Sequence, residues 1–302
     1  MASHRAMCVA AILGGVIGLD CLPSAEASIL MPGLKARAEA YDYTTGPASG
    51  EADIDPGMMV GPLMRAEAIA NRSQSVSRAF AEAAYGYLRV ETSTIGVYSS
   101  ITSATSVGQA VASASFVDDQ VVVQRDGIAT GTPGSFRARF DVQRLIDFSA
   151  ALSDGLAAGM LVLEGGYSLG IVIGQNVTEI DGSALGGTWR RIGVDGPLQE
   201  PDVLPPGIVE LDVDFEYGVP FTIAVQVQVN LFTFISNGGT ADVDSRLLLG
   251  PSFRWLGIVD GLDDETTVSS PEVDNWKDPA IPAPGTVALL GLGALGLARR
   301  RR

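Results

Sequence analysis

The sequence predicts an all-β fold, one sandwich or jelly-roll-like body, and three observations carry that prediction. Apolar side chains alternate with polar or small ones, the two-residue period of a strand with one buried face. The clearest run is Phe221 to Leu231, where Phe221, Ile223, Val225, Val227, Val229 and Leu231 share one side. Just upstream, Leu211, Val213 and Phe215 alternate with Glu210, Asp212, Asp214 and Glu216. The chain is also rich in turn formers, with 36 glycines and 16 prolines in 302 residues. Many short strands between Gly/Pro loops argue for a sandwich. A body of this size buries a core without staples.

Taken from the amino terminus, Arg5 supplies a positive start, residues 6–19 are apolar and uncharged, and Ala25-Glu26-Ala27 is a small-x-small cleavage site. Residues 1–27 therefore read as a secretory signal peptide, cut before Ser28 by signal peptidase once the export machinery has engaged it. Asp20 makes Cys21 a poor lipid-acylation site, so ordinary cleavage is expected. Strands are predicted over 34–44, 110–117, 120–124, 135–142, 160–164, 168–173, 208–217, 221–231 and 245–258, with loops at 127–134 and 195–207. Gly218-Val219-Pro220 reads as a turn that makes its flanking strands neighbours.

Two alanine-rich stretches satisfy helix propensity as well as alternation. In 75–85 the pattern Ala79-Phe80-Ala81-Glu82-Ala83 favours a strand, whereas 62–72 stays open between the two. The body is thus placed at 28–260. Residues 261–280, with Asp263-Asp264-Glu265, Pro271 and Pro279, read as an exposed acidic linker, in which Trp276 is the residue suited to docking on the domain.

Composition removes whole classes of chemistry. Both cysteines, Cys8 and Cys21, and the single histidine, His4, fall inside the predicted signal peptide. The mature chain then has no disulfide, no Ser-His-Asp or Cys-His catalysis, and none of the usual zinc, haem or copper ligands. Oxygen chemistry remains, suited to calcium or sugars. A net charge of −15 repels nucleic acid at long range, so no nucleic-acid partner is expected. Gly165-Gly166 and Gly186-Gly187 lack a phosphate-loop lysine.

One carboxylate pattern stands out. Glu210, Asp212, Asp214 and Glu216 occupy alternate positions, so neighbours lie roughly 6.5–7 Å apart on one strand face. That row reads as a solvated strand face, with a calcium site and a glycosidase-like acid/base pair as the sharper alternatives. No cofactor is expected otherwise. Flat strand carboxylates converge poorly on an ion, and no Asp-x-Asp-x-Asp-Gly loop is present.

The carboxyl-terminal stretch 281–302 carries the sharpest signal. Pro282-Ala283-Pro284-Gly285 is followed by an uncharged apolar run, Thr286 to Ala298, and then by Arg299, Arg300, Arg301 and Arg302. As a helix that run spans about 20 Å, short of the roughly 30 Å hydrocarbon core, which suits a transient transmembrane hold on the membrane. The arginines stay on the cytoplasmic side and leave the body outside. This tail resembles that of the bacterial PEP-CTERM proteins, with Ala283 where the family's Pro-Glu-Pro has glutamate. The resemblance implies sorting and processing by an exosortase, a membrane-embedded cysteine protease or transpeptidase. It also implies a home at the surface or in the extracellular matrix of a Gram-negative-type bacterium, reached through the inner membrane.

The middle of the chain is similar to a recurrent PEP-CTERM ectodomain type, through Ala112 to Asp119, Gly131-Thr132-Pro133-Gly134, Tyr217 to Phe221 and Ala241 to Asp244. That likeness implies a β-sandwich and assigns no catalytic residue. Two function classes follow: a non-enzymatic surface or matrix protein in an exopolysaccharide-rich envelope, or a carbohydrate-binding or carbohydrate-active module stacking sugars on Trp189, Tyr167 and Trp255.

Overall fold

The computed structural model describes residues 32–44, 51–60, 62–72, 75–98, 105–152, 160–174, 185–192, 207–236 and 243–279. The predicted signal peptide and the tail from residue 280 onward lie outside the described residues, as does most of the predicted loop 195–207. Along the chain run β1 (Gly33–Thr44), β2 (Glu51–Asp55), β3 (Met58–Val60), β4 (Leu63–Arg72), β5 (Ser75–Ala84), β6 (Tyr87–Tyr98) and β7 (Thr105–Gln124). They are followed by β8 (Pro133–Leu152), β9 (Met160–Gly174), β10 (Leu185–Ile192), β11 (Gly207–Glu216), β12 (Phe221–Ser236), β13 (Val243–Asp260) and β14 (Thr267–Ser269). No helix occurs among the described residues.

The all-β prediction holds. One antiparallel sheet has the order β10-β9-β12-β7-β1-β2, with β14 added to β7; the other has the order β11-β8-β13-β6-β5-β4-β3. One core cluster joins the inner faces of both, giving a sandwich-like body. The open stretch 62–72 and its neighbour 75–85 form β4 and β5, and their alternate alanines face inward. Several predicted strands are halves of longer ones, since 110–117 with 120–124, and 160–164 with 168–173, merge into β7 and β9.

The turn at Gly218-Val219-Pro220 corrects one expectation. Its flanking strands are not neighbours, because β11 pairs with β8 in one sheet and β12 pairs with β7 and β9 in the other. The chain crosses the core there, from one sheet to the other. Phe215 and Phe221 each point inward onto Phe136, with ring centroids 5.6 and 6.1 Å away. The three rings fill the space between the sheets that this arch spans. The β7–β8 loop crosses beside it, and the two arches are tied by Gly131 N donating to Tyr217 O and Tyr217 N to Thr132 O.

The core is graded. Alanines 36, 38 and 40 of β1 and 110, 112 and 114 of β7 face alanines 66, 68 and 70 of β4 and 79, 81 and 83 of β5. Across this seam Cα atoms of β1 and β4 come within 8 Å, closer than the roughly 10 Å of ordinary sheet packing. Side chains of β2 close the seam from outside: Asp53 and Asp55 accept hydrogen bonds of 2.9 Å from the free edge amides of Ile69 and Glu67 on β4. Bulky rings fill the end where β7 finishes and β8 begins, with Phe116, Phe140, Phe253, Trp255 and Trp276 all buried.

Candidate functional site

The acidic row lies where the alternation put it. Glu210, Asp212, Asp214 and Glu216 are exposed on one face of β11, which is the edge strand of its sheet. What the sequence did not show is the register that sets Arg139 opposite Glu210 and Arg137 opposite Asp212 on β8. Arg139 donates through Nε and a terminal nitrogen to Glu210 Oε1 at 2.8 and 2.6 Å. Arg137 Nε donates to Asp212 Oδ1 at 2.8 Å, and this bond, then the Asp212 charge, raises the Arg137 pKa above its ordinary value. Asp214 and Glu216 face Ser135 and Pro133.

Half of the row, Glu210 and Asp212, is therefore a cross-strand ion-pair ladder in water, where such pairs add little to stability. No group of three or more carboxylates converges on a point among the described residues. We expect 10 mM calcium to leave the melting temperature within about 1 °C of its starting value, since a site of 0.1 mM affinity would add about 2.7 kcal/mol and several degrees. A rise of that size in a calorimetric scan would restore the row as an ion site.

The carbohydrate reading named three aromatics. Tyr167 and Trp255 are buried in the core, so neither ring is presented to a sugar. Nothing is described of the Trp189 side chain beyond its place on β10. The aromatic packing that defines this body is internal. Trp255 and Trp276 meet edge to face at 5.4 Å, and Trp276 stacks on Phe116 at 6.0 Å.

Trp276 also overturns the picture of 261–280 as an exposed linker. The described part, 261–279, is a strap folded back over the ring-filled end of the sandwich. Val268 is buried within β14, which pairs with Val122, Val123 and Gln124 of β7. Trp276 is 0 % exposed, its amide bonds to Val268 O, and its carbonyl accepts from Trp255 Nε1 at 3.0 Å. Its own Nε1 donates at 3.1 Å to Asp118 Oδ2, which also accepts from the Ser270 hydroxyl, while Asp118 Oδ1 accepts from Gln120 N. Three donors satisfy this carboxylate, which is only 2 % exposed.

Glycine makes the last step possible. Gly257 has φ +107°, and a β-carbon there would collide with the Lys277 carbonyl oxygen, which instead accepts a hydrogen bond from Ile258 N. Lys277 Nζ reaches back to the carbonyls of Asp263 and Thr266 at 2.7 and 3.1 Å. Asp263, expected to be part of a free acidic run, builds the strap's turn. Its carboxylate accepts from the Thr266 hydroxyl and amide and pairs with Arg125 at 2.5 Å. The hydroxyl bond, then the Arg125 charge, lowers its pKa.

Beside the strap is a small open cleft of about 170 Å³, lined by Pro32, Tyr85, Asp118, Gln120, Pro271 and Glu272 among others. Burial first, then the charges of Glu272, Asp118 and Asp119, push the Tyr85 phenol up to about 12, so it stays neutral. The sequence offered one hint of the strap: a lone tryptophan in an otherwise polar stretch. Its partners Asp118, Trp255 and Gly257 come from distant strands and carried no local signal.

The cleavage residues Ala25, Ala27 and Ser28, the motif Pro282 to Gly285 and Arg299 to Arg302 all lie outside the described residues. The described part of the strap runs to Pro279, three residues ahead of that motif in sequence. An all-β body followed in sequence by an apolar, arginine-terminated tail is the layout of an exported protein with a sorting handle. Residues 280–302 match the family model of the PEP-CTERM protein-sorting motif. The motif implies export, membrane-anchored sorting and exosortase processing. No curated protein matches the chain. Among solved structures, "Structure of infectious bursal disease virus Gx strain" aligns over 90 % of this chain and 92 % of its own at 12 % identity, with a TM-score of 0.12, a value that carries no fold argument.

Proposed function

We propose that this chain is an exported, non-enzymatic surface or matrix protein of a Gram-negative-type bacterium. In this reading signal peptidase removes residues 1–27, and the apolar run holds the chain briefly in the inner membrane. An exosortase then cuts near Pro282-Ala283-Pro284, and the acidic body is left at the surface or in the exopolysaccharide-rich matrix. The observation that carries the reading is the sorting motif at residues 280–302, which follows directly in sequence on a strap docked through Trp276. The non-enzymatic part is supported by the arginine pairing of Glu210 and Asp212, which spends half of the acidic row on ion pairs.

The test is made at the basic stop. Replacing Arg299, Arg300, Arg301 and Arg302 with glutamine removes the charges that fix the tail's orientation. The variant is expected to accumulate as uncut precursor in the membrane fraction, retaining in intact-mass spectra the tail that the wild type has lost. Unchanged mass and location would refute exosortase sorting.

A further inference from the structure

The two ends of the described body emerge side by side. Pro32 and Gly33, at the start of β1, line the same cleft as Pro271 and Glu272 of the strap. Gly33 pairs with Val117 of β7, the Trp276 indole donates to Asp118 on the same strand, and Pro279 follows Trp276 by three residues, so the start of β1 and Pro279 lie at one end of the body. The strap cannot slide, because Trp276 is locked in the core and the Lys277 carbonyl is seated on Gly257.

Tether length then constrains the whole molecule. From Pro279 to Thr286, where the apolar run begins, a fully extended chain reaches at most about 25 Å. The body is much longer than that: β7 and β8 each hold 20 residues, and a strand of that length spans roughly 65 Å. Asp119, Asp126, Asp264, Glu272, Asp274 and Asp278 surround this end, and Lys277, the nearest cation in the strap, is committed to two carbonyls. Such a surface is repelled by anionic headgroups, so this end stands off the lipid on its short tether instead of pressing into it.

Resting on the sorting reading above, we infer that the strap end of the sandwich is the face presented to the bilayer and to the membrane-embedded protease. The docked strap acts as a ruler that holds the Pro282-Ala283-Pro284 motif at a short, fixed distance from the folded body. The partner is the protein surface of the membrane-embedded protease on the outer side of the inner membrane, reached by a body standing on its tail. Both membrane handles, the signal segment before cleavage and the tail after it, leave from this one face.

The experiment uses the full chain with Cys8 and Cys21 replaced by serine, inserted by its tail into liposomes of phosphatidylethanolamine and phosphatidylglycerol carrying a headgroup-dye lipid. A single donor fluorophore is placed at Gln120→Cys, near the strap, or at Ser149→Cys, roughly 40 Å farther along the strands. Both positions are exposed. Energy transfer to the lipid dye is expected to be at least twofold stronger from residue 120 than from residue 149. Inserting twenty Gly/Ser residues between Pro279 and Ala280 leaves the core untouched and should erase that difference. The same insertion should slow tail removal in cells several-fold. Equal transfer from both positions in the uninserted chain, or full-rate processing of the inserted one, overturns the ruler. A chain that fails to float with the liposomes overturns the sorting reading itself, and the inference with it.

Discussion

Trp276→Ala will cost the body about 4 kcal/mol and lower its melting temperature by roughly 10 °C or more. The estimate has two parts. Deleting a fully buried tryptophan leaves a cavity against Phe116 and Trp255, and such truncations cost about 3–5 kcal/mol. The change also removes the indole N–H from Asp118, a buried carboxylate that keeps only Ser270 and Gln120 as donors. Trp276→Phe separates the parts, since it keeps most of the ring packing and loses the hydrogen bond; a loss of about 1–2 kcal/mol is expected. Chemical denaturation of all three chains, read by tryptophan fluorescence and far-ultraviolet dichroism, gives both numbers. Limited proteolysis adds a local readout, because a released strap exposes residues 262–279 to cutting while β1 to β13 stay protected. A Trp276→Ala chain within 1 kcal/mol of wild type would mean that the strap is an ornament on a body already complete at Asp260.

That outcome matters for function because the strap anchors the chain at Trp276, six residues ahead of the sorting motif. A free linker of the same length would let the body wander tens of ångströms from the membrane. The docked form confines it. Folding of the body and presentation of the tail are thereby joined through one indole, one carboxylate and one glycine.

The fold class was legible because strand alternation is a local property. β11 and β12 could be read residue by residue, as could β1 and β5, whose alternate alanines mark the buried face. β4 has the same alternation, with Ala66, Ala68 and Ala70 inward, yet alanine is also the best helix former and so conceals a strand. β6 hid for another reason: its inward positions include Thr92 and Thr94, which are buried and polar. β2 is rich in acidic residues that disfavour strands, and its aspartates serve β4 rather than a core. The arches between β7 and β8 and between β11 and β12 were beyond local reading, since a turn sequence does not say whether it joins neighbours or crosses a core. The acidic row was found at its residues, but its meaning depended on Arg137 and Arg139, some seventy residues away and visible only through strand register.

The alanine seam yields the second large effect. Ala81 on β5 and Ala112 on β7 belong to opposite sheets, are both 0 % exposed, and sit where β5 and β7 pack against each other with Cα atoms within 8 Å. At that separation a methyl group fills the gap, and a longer side chain has nowhere to go without parting the sheets. Ala81→Leu and Ala112→Leu are each expected to destabilise by about 2–3 kcal/mol through overpacking, the reverse of the usual rule that more buried hydrocarbon stabilises. The double variant should reach about 5 kcal/mol, or less if one substitution opens room for the other. Lys35→Leu supplies the control: it lies on β1 beside the seam but is exposed, so its effect should stay within about 0.5 kcal/mol. Parting the sheets would also separate β2 from β4 and free the amides of Glu67 and Ile69, so hydrogen exchange at those two positions should accelerate in the seam variants and not in the control. If Ala112→Leu instead raises the melting temperature, the seam holds unfilled space and the close approach of the two sheets is wrong.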